Sequence, residues 1–318
     1  MKISINKCIL FSLILLGITN AANCEEQYSK QEELRFIVIG DWGTPGAKGQ
    51  KLVAQQMNKI AANVSIDFIA TTGDNFYMKG VQNLEDPLWE NTFENIYALP
   101  NIKNIPWYVS LGNHDHMGNL YAQIDYAKEH PNWILPNTYY SKVFKINENA
   151  DLRILFLDTS PFIEEYRSTP DYYPNLMKQD RQAQVQWLDN TLSDSNSTWN
   201  IAIGHHPVYS AGAHGDSEEL KDILPEIFER QQVDAYFAGH DHHLEHHHLV
   251  GKTHHFISGG GSRVRGVSTR KNRQFATSSL GFALVSVDAN CMQVSFINEK
   301  GKELYRTMNS LTLEEVCQ

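Results

Sequence analysis

Val233-Asp234-Ala235-Tyr236-Phe237-Ala238 runs into Gly239-His240-Asp241-His242-His243. The apolar and aromatic half is too short for a helix and reads as a buried strand. After the glycine, the spacing puts His240 and His242 on the same side of an extended turn, where two imidazoles make a metal pair. The same construction, an apolar strand followed by glycine and a metal donor, occurs four more times. Phe36–Ile39 leads into Gly40-Asp41, Phe68–Thr72 into Gly73-Asp74-Asn75-Phe76-Tyr77, Trp107–Leu111 into Gly112-Asn113-His114-Asp115-His116, and Trp199–Ile203 into Gly204-His205-His206. A lone Gly-Asp is weak evidence, since Asp commonly starts a turn or caps a helix. Five in series form a pattern, and donors at the carboxyl ends of neighbouring strands converge on one rim of an α/β sheet. Ile154–Leu157 followed by Asp158 has the strand and the acid but no glycine to let the backbone turn sharply, so Asp158 is read as structural.

Between the strands lie helical stripes: Leu52, Val53, Met57 and Ile60; Val185, Leu188 and Leu192; and Leu220, Ile223, Leu224, Ile227 and Phe228. Each reads as core packing. Strands interleaved with helices, then strand-rich sequence after Ala235, predict a layered α/β architecture with helices covering the sheet faces. No low-complexity linker interrupts the chain, so one domain is expected over residues 34–300, with 301–318 as a C-terminal tail.

The chain has 318 residues, 42% hydrophobic and 20% charged, which excludes disorder, collagen and coiled coil. Its formal net charge of −10 argues against a nucleic-acid partner held by a broad basic surface. Lys2 and Lys7, the apolar run Ile9–Ile18 and the small residues Ala21 and Ala22 read as a signal peptide over residues 1–22. No run is long enough to span a bilayer. A soluble, exported protein is expected, in the periplasm, the medium or a lysosome-like compartment. Losing Lys2 and Lys7 takes the charge from −10 to −12. Cys24, Cys291 and Cys317 then remain, an odd number with a long cysteine-free stretch between the first two, so the core must hold by burial rather than by a disulfide framework. Sequons stand at Asn63 and Asn196.

Asp41, Asp74, Tyr77, Asn113, His205, His240 and His242 make seven potential ligands, more than the four of a tetrahedral zinc site, and therefore point to two ions with one bridging carboxylate, assigned to Asp74. A phenolate ligand demands a strong Lewis acid, which ferric iron is. From the residues alone, Tyr77 as ligand and Tyr77 as packing aromatic are evenly matched.

These motifs, Gly-Asp-x-Gly, Gly-Asp-x-x-Tyr, Gly-Asn-His-Asp, Gly-His and Gly-His-x-His, resemble in order and spacing those of the purple acid phosphatases of the short, tartrate-resistant type, within the calcineurin-like metallophosphoesterases. The resemblance covers roughly Leu34 to Phe296. It implies a four-layer αββα sandwich. It also implies Asp41, Tyr77 and His242 on Fe(III), Asp74 bridging, and Asn113, His205 and His240 on a divalent ion: Fe(II), Zn or Mn. The implied activity is hydrolysis of phosphate monoesters, on small molecules or proteins, by metal-bound hydroxide, with His114 and His214 as acid or substrate groups. A monomer is expected. Ala202 departs from the family's usual valine before the fourth motif, which touches strand packing only. His206 is expected beside the site rather than as a ligand.

Two other readings stand beside this one. A metallophosphodiesterase or nucleotide hydrolase on the same fold would lack the Tyr77 ligand. An exported, His-rich metal-sequestering protein would rest on the histidine cluster instead, since eight of the fourteen histidines lie between His240 and His255. His246, His247, His248, His254 and His255 are expected on the surface. Arg263 and Arg265, after Gly259-Gly260-Gly261-Ser262, are expected to be solvated and outside the site.

Overall fold

The computed structural model describes residues 33–248, 251–270 and 273–311. All belong to the compact unit Glu32–Gln318. The segment 1–22, expected as a signal peptide, lies outside them, as do Cys24 and Cys317; Cys291 is disulfide-bonded.

In chain order the strands are β1 (Leu34–Ile39), β2 (Phe68–Thr71), β3 (Trp107–Tyr108), β4 (Trp133–Ile134), β5 (Tyr140–Lys145), β6 (Asp151–Phe156), β7 (Trp199–Ile203), β8 (Ala235–Ala238), β9 (Leu244–His247), β10 (His254–Ser258), β11 (Arg273–Thr277), β12 (Gly281–Val287), β13 (Cys291–Asn298) and β14 (Glu303–Ser310). They form two seven-stranded sheets, ordered β14-β13-β12-β1-β2-β3-β4 and β11-β9-β10-β8-β7-β6-β5. Residues 301–318, expected as a tail, include β14, which pairs antiparallel with β13.

Strand alternation explains the layering. On β6, β7 and β8 the residues Ile154, Phe156, Ile201, Ile203, Ala235 and Phe237 join the core shared with the first sheet. Their neighbours Leu155, Ala202, Tyr236 and Ala238 face the other way, against Leu188, Leu192, Leu224, Ile227 and Phe228 of the helices Arg181–Ser193 and Leu224–Arg230. The helix Lys48–Ala61 packs Val53 and Met57 against the first sheet. Helices thus cover a pair of sheets on both sides, in the order αββα. β1–β2–β3 are mutually parallel, and so are β7–β8, so within each sheet the glycine-terminated strands deliver their carboxyl ends to the same side.

Local details depart from the sequence reading. Leu52 turns outward, 44% exposed, and leaves the first stripe to Val53, Met57 and the partly buried Ile60. The stripe Leu220–Phe228 is two short helices, Glu218–Lys221 and Leu224–Arg230, because Pro225 sits in the first turn of the second and has no N–H to continue the ladder.

The largest correction concerns the histidines after His243. β9 lies between β11 and β10, not at the surface, and His246, His247 and His255 are buried, while His248 and His254 are half-buried. His243 Nε2 and His247 Nε2 each approach a different oxygen of buried Glu245 at 2.7 Å. His246 Nε2 lies 2.9 Å from His254 Nδ1, and its ring stacks on Phe256 at 4.3 Å. Burial first, then neighbouring imidazoles, pushes His246, His254 and His255 down to about 3.

Those rings are neutral in the fold, whereas an unfolded chain protonates them below about pH 6.5. Their contribution is therefore present above that value and lost as pH falls from it towards about 3, at up to about 1.4 kcal/mol per pH unit for each ring. Unfolding by urea at pH 7 and pH 5 should show wild type losing more stability on acidification than His246→Phe. Equal losses would contradict the burial argument.

Candidate metal centre

Each donor takes its place from the strand before it. Asp41 follows β1, Asp74 follows β2, and Asn113 opens a one-turn helix, Asn113–His116, after β3; His205 follows β7 and His240 follows β8. The expected turning role of the glycines holds at Gly73, whose φ is 93°, but left-handed φ also falls on the donors themselves: Asp41 at 57°, Asp74 at 53° and His240 at 67°. Strain of this kind at non-glycine residues, roughly 1–3 kcal/mol per residue, concentrates at functional sites. Other motif glycines make room. A Cβ on Gly112 would stand 2.2 Å from Asp74 Oδ1, and one on Gly239 would stand 2.5 Å from Asp41 Oδ2. Gly112 itself has φ −108°, which any residue adopts.

The seven donors fall into two sets. In the first, Tyr77 Oη donates to Asp41 Oδ1 at 2.9 Å, His242 Nε2 lies 3.2 Å from Tyr77 Oη, and His242 Nε2 lies 3.4 Å from Asp41 Oδ1. In the second, His205 Nε2 is 3.0 Å from Asn113 Oδ1 and 3.2 Å from His240 Nδ1. Asp74 stands between them: its Oδ1 is 3.4 Å from His205 Nε2, and Asp41, Asp74 and His205 bring donor atoms within 4.8 Å of one another.

The donor chemistry fits cations. His205 Nδ1 lies 2.8 Å from the Thr72 carbonyl oxygen, which only accepts, so that nitrogen carries the proton. In the neutral ring the Nε2 lone pair then faces the Asn113 and Asp74 oxygens with no proton between them, an arrangement a metal ion resolves. Burial, then the neighbouring imidazoles, holds His240 well below its ordinary pKa, neutral and ready to bind. Burial works against the Asp41 carboxylate, but His242, His205 and Tyr77 outweigh it and hold its pKa below the usual range. Burial, with the charges of Asp41 and Asp74, pushes the Tyr77 phenol far above its ordinary value, so ionising it takes a strong Lewis acid.

A cavity of about 240 Å3 opens above Asp74, Asn113, His240 and His242. His114 and His214 both line it. His114 Nδ1 donates to the Met78 carbonyl at 2.6 Å, which leaves Nε2 3.9 Å from Asp74 Oδ2. The His214 ring lies 4.2 Å from that of His240, and its backbone N–H donates to Asp241 Oδ1 at 3.1 Å. Burial, with Arg265 and His242, outweighs Asp241 and lowers the His214 pKa.

Asp158 accepts from His116 Nε2 at 2.9 Å beneath the third motif and does not line the cavity. His206 is buried beside the second set, with Nδ1 2.9 Å from Thr159 Oγ1 and Nε2 3.2 Å from Tyr166 Oη. Sequence reasoning gave Asp115 no role. It accepts from Gly112 N at 2.8 Å, Asn75 N at 3.1 Å and Gln123 Nε2 at 2.9 Å, tying the second motif to the third. The signal was its place inside Gly-Asn-His-Asp. Glu165, Tyr166 and Arg265 also line the cavity. Glu165 and Tyr166 sit on the one-turn helix Glu164–Arg167 and Arg265 on a loop, all without motif spacing, and Arg265 stands against its expected place outside the site.

Gly112→Ala should keep the circular dichroism of the wild type while losing bound metal, since its Cβ needs the space Asp74 occupies. Full metal content in the folded variant would contradict the close-approach argument.

Residues 34–244 match the calcineurin-like phosphoesterase family. Purple acid phosphatase 4 of Arabidopsis thaliana is 32% identical over 98% of this chain and 96% of its own. Tartrate-resistant acid phosphatase type 5 of Homo sapiens is 34% identical over 86% of this chain and 90% of its own. Among solved structures, GAP50, the anchor in the inner membrane complex of Plasmodium, superposes with a TM-score of 0.76 at 27% identity, covering 88% of this chain and 89% of that one. The yellow lupin purple acid phosphatase PPD1, at 15% identity, shares the fold with a TM-score of 0.67, covering 89% of this chain and 54% of that one. Family match and near full-length relatives agree with the donors brought together at the rim: the chain belongs to the purple acid phosphatases, within the calcineurin-like phosphoesterases.

Proposed function

We propose that this protein is an acid phosphatase that hydrolyses phosphate monoesters at a binuclear Fe(III)–M(II) centre. The observation that carries this reading is the pair of three-donor sets joined by Asp74 beneath a cavity lined by His114 and His214. Asp41, Tyr77 and His242 would hold Fe(III), Asn113, His205 and His240 the divalent ion, Fe(II), Zn or Mn, and Asp74 both. Two such cations, when bound, neutralise charge on the phosphoryl oxygens and lower the pKa of an attacking water.

The chain's own groups do the rest. Hydrolysis breaks the phosphorus–oxygen ester bond, and the departing oxygen takes a proton. His114, its ring fixed by the Met78 carbonyl, holds that proton at Nε2. His214, positioned through its backbone by Asp241, meets the phosphoryl or leaving-group oxygens from the opposite loop. With a negative overall charge, attraction for phosphate is local to the centre, which favours small, accessible esters over polyanions.

Fold alone does not decide between catalysis and scaffolding, so donor chemistry carries the choice. No helix among the described residues is long and apolar enough to cross a membrane. We place the protein outside the cytoplasm and as a monomer, the former on Lys2, Lys7 and Ile9–Ile18.

An aryl phosphate monoester and the matching diester, assayed from pH 4 to pH 7, test the reading. The monoester should turn over and the diester should lag far behind; His114→Asn should lower kcat by about a hundredfold with metal content unchanged. A diester rate equal to the monoester rate would favour a phosphodiesterase. Absent turnover, with metal retained in Asp74→Ala, would favour sequestration.

A further inference from the structure

Among the described residues, Arg265 is the only Lys or Arg lining the cavity above the metal centre. Its backbone is held on both sides: the N–H donates to the His242 carbonyl at 2.8 Å, and its own carbonyl accepts from Ser278 Oγ at 2.6 Å. The side chain is exposed and its guanidinium contacts His214 Nε2. A guanidinium only donates, so that contact uses one of five N–H groups. Among the described residues Arg265 makes no ion pair, although the cavity also carries Glu165 at its exposed side. Arg263, two residues earlier and also exposed, does not line the cavity. The turn therefore presents one cation to the site and one to solvent.

We propose that Arg265 is a substrate-binding residue of this site, its guanidinium donating to an anionic oxygen of the bound ester and so setting KM. The inference rests on the phosphatase reading of the cavity. A planar fork of donors with a permanent charge suits an oxyanion. That oxygen belongs either to the phosphoryl group or to a second anion, such as a carboxylate, on the leaving group. Glu165, of opposite sign at the same opening, should act in the opposite direction.

The test compares wild type with Arg265→Gln, Arg265→Lys, Glu165→Gln and Arg263→Gln, each with metal content measured. The substrates are phenyl phosphate and 4-carboxyphenyl phosphate, and inorganic phosphate binding by calorimetry gives a readout free of turnover. Arg265→Gln should raise KM about tenfold, the scale of one lost charge-assisted hydrogen bond, with kcat within a few-fold of wild type. Arg265→Lys should recover part of the loss, Glu165→Gln should lower KM, and Arg263→Gln should match wild type. A loss on both esters, with weaker phosphate binding, assigns the contact to the phosphoryl group; a loss confined to the carboxylated ester assigns it to the leaving group. Equal KM values in wild type, Arg265→Gln and Arg263→Gln overturn the role of Arg265. A fall confined to kcat also overturns it and makes Arg265 a support for His214. A fully metallated wild type that turns over neither ester overturns the phosphatase reading itself.

Discussion

The site depends on how closely strand ends from two sheets approach one another. Asp74 can stand beside Gly112, and Asp41 beside Gly239, only because those glycines present hydrogen where any other residue presents carbon. The donors themselves accept the cost in backbone conformation, with left-handed φ at Asp41, Asp74 and His240. A rim built this way gathers seven donors from five strand ends, and the parallel order of the strands within each sheet brings those ends to the same side of it.

Crowding of that kind sets an electrostatic problem. Asp41 and Asp74 are buried, and among the described residues neither makes an ion pair with a lysine or arginine; the basic side chains beside them are the imidazoles of His242, His205 and His114. Desolvated carboxylates without a counter-charge are costly; burial keeps His240 neutral, and the Nδ1 proton of His205 is donated to the Thr72 carbonyl. Bound cations balance this set. Outside the donors, Asp115 and Asp158 hold the loops that carry them, so rigidity comes from buried acids that do not face the cavity.

Much of this was legible in the sequence, because the period-two apolar runs and the glycine-donor junctions are local signals. The strand-end donors and the layered α/β class follow from them, while the two-sheet sandwich came from the family resemblance those motifs carry. What was not legible depends on tertiary partners. The histidines after His243 read as a polar surface run, yet β9 lies between β10 and β11, and His246 meets Tyr305 Oη with one ring nitrogen and His254 with the other. The helical stripe around Ile223 hid a break that Pro225 imposes. Arg265 resembled a solvated residue on a glycine turn, and only the fold brings that turn over His214. Gly73, at φ 93°, uses the turning freedom read from the sequence, whereas Gly112 and Gly239 supply space between strands, which no single strand reveals.

The central claim is that Tyr77 completes a ferric site within a two-ion centre. A visible absorption spectrum of the purified protein, taken with metal analysis on the same sample, tests it most directly. The account predicts two ions per chain, at least one of them iron, and a purple tyrosinate-to-iron charge-transfer band that Tyr77→Phe removes. A fully metallated wild type without colour, or a band that survives Tyr77→Phe, would contradict it.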